Sequence, residues 1–244
     1  MDHVERLHPL VRIGSIAAVA YVSFVLPVLA EAPSGPPLVP PERAAKPVAS
    51  VPLANPGFES AAPGRLGAPD GWWGIQHAGP LSYTFTPDTD APRSGGRSLR
   101  IDNVGPEPFG TLYQVVPAAA LRGKTLRFSA WLRTRDAKGN VYGTGAGLKL
   151  QTMRGGYIVD HVHMRMDSVA GTTDWARYEL HLKVANAADQ IEVGVNLFGP
   201  GAVWIDDVAL DVVEPPPPPP PPPPAAAPTT APGAAKPERQ RLHP

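Results

Sequence analysis

The sequence predicts an all-β domain in which two antiparallel sheets pack as a sandwich. Apolar and polar side chains alternate with a period of two along residues 126–133, which is typical of a strand with one face in the core. Similar segments recur at 148–151, 177–184 and 191–197, bounded by Gly, Pro, Asn or Asp. No long stretch has the period of an amphipathic helix. Short strands without helices favour the antiparallel sandwich.

About eight to ten strands are expected, and the alternation assigns an inward face to each. In the central strand, Phe128 and Leu132 are predicted to point into the core and Trp131 to point away from it. A short helical turn is expected at Leu121, just before this strand. The predicted strands lie near residues 53–59, 81–86, 98–103, 111–116, 124–134, 145–153, 157–166, 175–184, 189–198 and 202–213.

The N-terminal segment, residues 1–30, predicts export. An apolar run over 13–30 follows Arg6 and Arg12 and ends in small residues at the spacing that signal peptidase requires. We interpret it as a signal peptide cleaved after Ala30 or Ala32, and the protein is therefore expected to be secreted or periplasmic. The alternative is an uncleaved membrane anchor, because the run reaches the lower limit for crossing a bilayer.

Two proline-rich segments frame the predicted domain. Residues 31–52 have the composition of a linker, and the domain itself is expected over 53–213. Residues 214–244 form a C-terminal tail that opens with an unbroken run of prolines at 215–224. Such a run adopts an extended polyproline II rod of about 3.1 Å per residue. We interpret it as a spacer.

Composition and missing motifs limit the function. The 22 basic and 22 acidic residues give a net charge of zero, so there is no electrostatic reason to expect nucleic acid as a partner. The chain has no cysteine, and hence neither disulfides nor thiol chemistry. No nucleophile elbow or phosphate loop is present. We therefore expect a non-catalytic domain; its oligomeric state is not predicted.

Several short motifs give the chain a specific resemblance. The motifs are Asn55-Pro56-Gly57-Phe58-Glu59 and Val203-Trp204-Ile205-Asp206-Asp207-Val208, with further matches at 94–101, 121–131 and 171–175. With these motifs the chain resembles the carbohydrate-binding modules of the family 4, 9 and 22 group, which are galactose-binding-domain-like jelly rolls. The resemblance spans about residues 53–213. It implies a polysaccharide or cell-envelope glycan as the partner.

The resemblance also implies a structural calcium ion. In these families a Glu after the aromatic residue of the first strand and an Asp of the last strand hold Ca²⁺, and the matching positions are Glu59 and Asp206 or Asp207. Oxygen ligands from segments far apart in sequence suit a hard cation that joins two strands. Turn or capping carboxylates are the alternative interpretation of the same residues.

Outward-facing polar and aromatic residues predict a glycan-binding face. An aromatic plane stacks on the apolar face of a sugar, while amide, carboxylate and guanidinium groups bind its hydroxyls. These residues share one face if their strands are neighbours in one sheet. The predicted contacts are Trp131, Arg127, Arg133, Lys149, Gln151, Glu179, His181 and Asn196, with a rim formed by Trp72, Trp73 and Gln76.

Other classes of function stay open at this stage. His161 and His163 with Asp167 resemble, weakly, the first metal-binding motif of cupins. Glu179 and Glu192 are candidates for a glycosidase acid and base, if they face each other. The main alternative is a structural or protein-interaction domain that the proline rod tethers and that has no sugar site.

Overall fold

The protein was analysed as a computed structural model, which describes residues 47–60 and 67–214. The chain divides into two units, Met1–Ala32 and Pro33–Pro244, and all described residues belong to the second. The predicted signal peptide or anchor, residues 31–46 of the predicted linker and the proline run lie outside the described residues. The described part of the chain contains no helix with the length and apolarity that a membrane crossing requires.

Eleven antiparallel strands form two sheets in the described residues. The strands are β1 Pro47–Val51, β2 Trp73–Gln76, β3 Tyr83–Asp88, β4 Ser98–Asn103, β5 Phe109–Pro117, β6 Thr125–Ala137, β7 Ala146–Arg154, β8 Tyr157–His163, β9 Gly171–Lys183, β10 Gln190–Phe198 and β11 Ala202–Val213. Sheet I has the order β3-β4-β11-β6-β9, with β1 also paired to β11, and sheet II has the order β2-β5-β10-β7-β8.

The core lies between the two sheets and follows the predicted alternation. Phe128 and Leu132 of β6 are fully buried on the inner face of sheet I, while Leu148 of β7 and Val193 of β10 are fully buried on that of sheet II. Trp131 points outward and is only half-buried. Facing layers of alternating side chains are the packing of an antiparallel sandwich. The predicted fold class is confirmed.

The N-terminal edge of the sandwich differs from the prediction. Residues 53–59 form a turn instead of a strand, because Asn55 and Phe58 have φ angles of 44° and 54° and the Phe58 N–H bonds to the Asn55 carbonyl. The first strand is β1, which pairs with β11 from Val51 opposite Leu210. The sandwich therefore includes residues that we expected in the linker. Pro47 is tolerated because β1 has a partner on one side only.

Two further differences concern short elements. β2 was not predicted. It has only four residues, and a glycine lies between its aromatic and aliphatic side chains, so the sequence has no clear alternation there. β8 ends at His163, and β9 begins at Gly171, earlier than expected. The turn expected near Leu121 is present, with the Leu121 N–H bonded to the Ala118 carbonyl.

Candidate functional site

The outer face of sheet II contains a cleft of about 470 Å³, which we call the groove. Strands β2, β5, β10, β7 and β8 supply its lining, together with the segments that precede β7 and follow β8. The lining residues are Ile75, Phe109, Thr111, Tyr142, Lys149, Gln151, Ile158, His163, Arg165, Glu192, Asn196 and Phe198. A volume of this size lies within the range of small-ligand sites.

A glycine lies at the centre of the outer face of sheet II. Tyr113, Gly194 and Lys149 lie side by side on three adjacent strands, with His163 next to Lys149 on β8. A Cβ atom at Gly194 would lie 2.3 Å from the Leu112 carbonyl oxygen, so no larger residue fits there without a shift of the backbone. Lys149 Cε and Tyr113 Cβ would lie 2.9 and 3.1 Å from the same Cβ, so the two flanking side chains close over the glycine.

Polar groups at the centre of the groove are linked through Glu192. Its Oε1 accepts a bond of 2.5 Å from Lys149 Nζ and one of 3.0 Å from Gln151 Nε2. Burial lowers the pKa of Lys149, although the neighbouring carboxylate raises it in part. Beside this pair, Thr111 Oγ1 donates to Asn196 Oδ1 at 2.7 Å. That bond leaves the Asn196 amide donors for a ligand.

Aromatic rings form one wall of the groove. The ring of Phe109 lies 6.2 Å from those of Phe198 and Tyr142, and 5.4 Å from that of His77. Tyr142 is 41% exposed. The wall therefore combines a packed hub, Phe109, with a ring that is open to solvent.

Basic groups occupy the β8 end of the groove. His163 stacks on His161 at 5.0 Å between ring centroids, and Arg165 follows two residues later. The Arg165 Nε donates to the Tyr142 carbonyl oxygen. Burial, then His161 and Arg165, lowers the pKa of His163, so this imidazole is mostly neutral at pH 7.

The structure divides the predicted ligand contacts between the two sheets. Lys149, Gln151 and Asn196 line the groove, and Trp73, 46% exposed, lies on the same outer face. The remaining five sheet residues lie on the outer face of sheet I: Trp131, Arg127, Arg133, Glu179 and His181. The condition for one shared face, that these strands are neighbours in one sheet, is therefore not met. Alternation shows which side of a strand faces outward but not to which sheet the strand belongs.

Trp131 is covered by a side chain from a loop. The guanidinium carbon of Arg93 lies 4.1 Å from the centroid of the Trp131 ring. A similar contact places Arg133 at 4.4 Å from Trp204, which is only 4% exposed. These cation–π contacts occupy the aromatic faces that a sugar would need.

The other predicted contacts on sheet I have intramolecular partners. Arg127 is 6% exposed and bonds to Asp211 at 2.8 Å. Glu179 Oε2 accepts a hydrogen bond of 2.7 Å from Arg177 Nη1, and its Oε1 lies 3.3 Å from His181 Nε2. These groups use their charges within the protein, so this face has little polar capacity left for a ligand.

Two predicted rim residues are structural. Trp72 is 3% exposed, donates from Nε1 to the Ala54 carbonyl at 3.0 Å and packs against Phe58. Gln76 braces the loop after β2, since its Oε1 accepts the Ser82 N–H at 2.8 Å and its Nε2 donates to the Pro80 carbonyl. Of the predicted rim, only Trp73 presents a large surface to solvent.

The predicted calcium ligands bind a single loop, residues 93–97. Asp206 is fully buried, and its Oδ2 accepts the N–H groups of Arg93 and Ser94 at 3.0 and 3.1 Å. Asp207 accepts the Ser94 hydroxyl at 2.7 Å, and Glu59 accepts the Gly96 N–H at 3.1 Å. We call this arrangement the loop clamp. Burial raises the pKa of Asp206, which these N–H donors partly offset.

The loop clamp, as it stands, does not fit a cation. Its carboxylate oxygens face N–H and O–H donors, whereas Ca²⁺ requires six to eight oxygen ligands at 2.3–2.6 Å. No group of three or more His, Cys, Asp or Glu side chains in the described residues is arranged to hold a metal. This also applies to His161, His163 and Asp167. Calcium at Glu59 and Asp206 or Asp207 stays a prediction.

The proposed glycosidase pair does not form. Glu179 lies on β9 in sheet I and Glu192 on β10 in sheet II, and both are on outer faces. The whole thickness of the sandwich separates them. They cannot act together on one glycosidic bond.

Several groove residues had no clear sequence signal. Glu192 was recognisable as outward-facing, because Ile191 and Val193 flank it. Phe109 begins β5, and Tyr142 and Arg165 lie outside the strands, so no alternation assigns a face to them. Their place in the groove depends on tertiary structure alone.

Comparison with known proteins identifies the fold. No family model matches the chain. Over 147 residues, 58% of the chain, it is 26% identical to the HTH-type transcriptional regulator YbfP of Bacillus subtilis (strain 168), and it spans 48% of that protein. The chain thus covers less than half the length of this relative.

Three solved structures illustrate the likeness. The enzymatically active domain of tailspike protein 4 from bacteriophage CBA120 has a TM-score of 0.50 and 18% identity, covering 68% of this chain and 22% of that one. TmCBM61, solved with β-1,4-galactotriose, has a TM-score of 0.43 and 17% identity, covering 66% and 97%. The CBM22-1 xylan-binding domain of Paenibacillus barcinonensis Xyn10C has a TM-score of 0.44 and 10% identity. The match covers 65% of this chain and 92% of that domain.

The predicted resemblance is therefore confirmed at the level of fold. Carbohydrate-binding modules of families 4, 22 and 61 are structural neighbours that the match covers over nearly their whole length. The described residues form a two-sheet antiparallel β-sandwich. The fold also occurs in the enzymatically active tailspike domain, so it does not by itself decide the function.

Proposed function

We propose that the domain binds a saccharide in the groove on sheet II, without catalysing a reaction. The observation that carries this proposal is the composition of the lining. Rings of Phe109 and Tyr142 lie on one side of a cleft whose centre holds Gln151, Glu192 and Asn196. Sugars combine apolar ring faces with hydroxyl groups, and this combination of surfaces complements both.

The hydrogen-bond geometry supports the same proposal. Glu192 uses Oε1 for both of its bonds, to Lys149 and Gln151, so Oε2 can accept from a hydroxyl. The Asn196 amide can donate to one, because its oxygen is already bound to Thr111. Since these groups are fixed by one another, little side-chain entropy is lost when a ligand binds.

A glycan array probed with the full chain tests the proposal. We expect a limited set of glycans to bind, and Asn196→Ala and Glu192→Gln to weaken the signal. Asn186→Ala is the matched control, since Asn186 is an exposed amide residue between β9 and β10, outside the lining. Array binding that is equal for wild type and both groove variants would contradict a site in the groove.

A protein-interaction role is the second candidate. Tyr157, Ile158 and Val159, three successive residues of the edge strand β8, are 80%, 55% and 44% exposed. Edge strands with exposed apolar residues can pair with another chain. Tyr157→Lys should abolish such pairing and leave glycan binding intact. Size-exclusion chromatography of both forms, with and without glycan, separates the two roles.

Structural calcium is a separate proposal. It is supported by the convergence of Glu59, Asp206 and Asp207 on one loop from distant parts of the chain. A bound ion would require this loop to turn carbonyl oxygens toward the carboxylates, which now accept its N–H groups. Melting curves with excess EDTA and with added Ca²⁺ test it. A melting temperature that rises with Ca²⁺ supports the ion, and identical curves support a metal-free clamp.

A further inference from the structure

We propose that the groove prefers an acidic saccharide, whose carboxylate binds Arg165 and His163 at the β8 end. This inference rests on the function proposed above and names the class of sugar. Its basis is the charge of that end of the groove. The side chains that face it from the strands and the adjoining segment carry positive charge or can gain it.

The charges of the groove do not cancel. Lys149 of β7 and Glu192 of β10 bond to each other at 2.5 Å, and both side chains are about seven-eighths buried, at 13% and 14% exposed. The pair is therefore neutral as a unit. Arg165 lines the same cleft, and no carboxylate of the described residues lies within 4.0 Å of its guanidinium. One uncompensated positive charge remains at pH 7.

The nearby acidic residue on β8 lies on the other side of the sheet. Asp160 is opposite Thr152, whose side chain is fully buried, whereas His161 and His163 are opposite Gln151 and Lys149 of the groove face. Asp160 accepts the His161 backbone N–H. The acidic residue of the groove face, Glu192, is bonded to Lys149 and Gln151, so neither histidine ring has a carboxylate partner among the described residues. His163 becomes cationic as the pH falls.

The chemistry of a uronate fits this arrangement. A planar guanidinium binds a planar carboxylate through two parallel hydrogen bonds, and a protonated imidazole adds a third donor. The Arg165 Nε donates a hydrogen bond to the Tyr142 carbonyl oxygen. This bond holds the Arg165 side chain where the basic end meets the aromatic wall. A sugar ring against Tyr142 would place a ring carboxylate within reach of this group.

Paired acids and esters isolate the charge. We would titrate the full chain with tri-galacturonate and tri-glucuronate and with their methyl esters, by calorimetry at pH 7. The acid of at least one pair should bind about tenfold more tightly than its ester. Arg165→Gln should bring this acid-to-ester ratio close to one. Arg154→Gln is the control, because Arg154 is exposed on sheet II outside the groove lining and carries the same charge.

The pH dependence gives an independent measurement. A uronate carboxyl stays ionised at pH 5.5, since ordinary carboxyl pKa values lie near 4. As the pH falls from 7.5 to 5.5 His163 gains protons, so the acid-to-ester ratio should rise. His163→Gln should flatten this rise. Because the Lys149–Glu192 pair is retained in this variant, the centre of the groove stays intact.

Each outcome decides something. Esters that bind as tightly as acids overturn the acidic preference, as does a preference that survives Arg165→Gln. Neutral glycans that bind while neither acid nor ester does would also overturn it, but the proposed saccharide binding would stand. Failure of every glycan on the array would overturn both.

Discussion

Replacing Phe109 with alanine tests the position of the proposed sugar site. Phe109 is half-buried, lines the groove and contacts three other rings at 5.4–6.2 Å. A lost stacking plane should weaken binding by about 1–3 kcal/mol, by analogy with bases on aromatic side chains. That range corresponds to a Kd about 5-fold to 150-fold higher.

Trp131→Ala is the matched control on the opposite face. The Trp131 ring contacts Arg93 on sheet I, so its removal should cost about 1 kcal/mol of stability and leave glycan affinity unchanged. Phe109→Ala should cost about 1–2 kcal/mol, because its ring is only half-buried. Phe128 is fully buried, so Phe128→Ala should lower the free energy of unfolding by about 3–5 kcal/mol. This variant is the reference for a core truncation.

Urea unfolding and calorimetric titration with a glycan identified on the array measure both quantities for each variant. We expect glycan affinity to fall only for the variant on sheet II, Phe109→Ala. We expect the loss of stability to increase with the burial of the replaced side chain. Weaker binding by Trp131→Ala together with unchanged binding by Phe109→Ala would refute the groove and return the site to sheet I. Equal losses in both variants would show that the two faces are coupled through the fold.

Three further predictions concern stability and export. Asp206→Ala should cost about 2–4 kcal/mol in urea unfolding, because three backbone N–H groups lose a buried acceptor; an unchanged midpoint would refute the loop clamp. Burial raises the pKa of Tyr83 to about 12, so the folded state retains a proton that the unfolded chain releases near pH 10. Stability should therefore fall as pH rises from about 10 toward 12, and Tyr83→Phe should reduce this loss in melting curves, although burial also raises the pKa of Tyr178. Mass spectrometry of exported protein should show an N-terminus at Glu31 or Pro33, whereas full-length chain confined to membranes would indicate an anchor.

The sequence was most informative where burial imposes a period. Along β6, Phe128 and Leu132 face the core and Trp131 faces outward, as the alternation predicts, because a shift of one residue would bury the charged set. It was least informative about which strands are neighbours. Arg127 and Lys149 both read as outward-facing, yet they lie on opposite sides of the molecule. Pairing between strands that are distant in sequence is decided by the packing of whole sheets, and local alternation carries no information about that packing.

Among the described residues, a loop covers aromatic surface on the outer face of sheet I. On sheet I, the clamped loop brings Arg93 over Trp131, and β1 brings Ser50 onto Asp211, the partner of Arg127. These contacts give Trp131 and Asp211 partners within the chain. On sheet II, segments outside the strands contribute Tyr142 and Arg165 to the lining of the groove. A ligand gains most where groups are fixed but not yet fully used, and this condition holds in the groove.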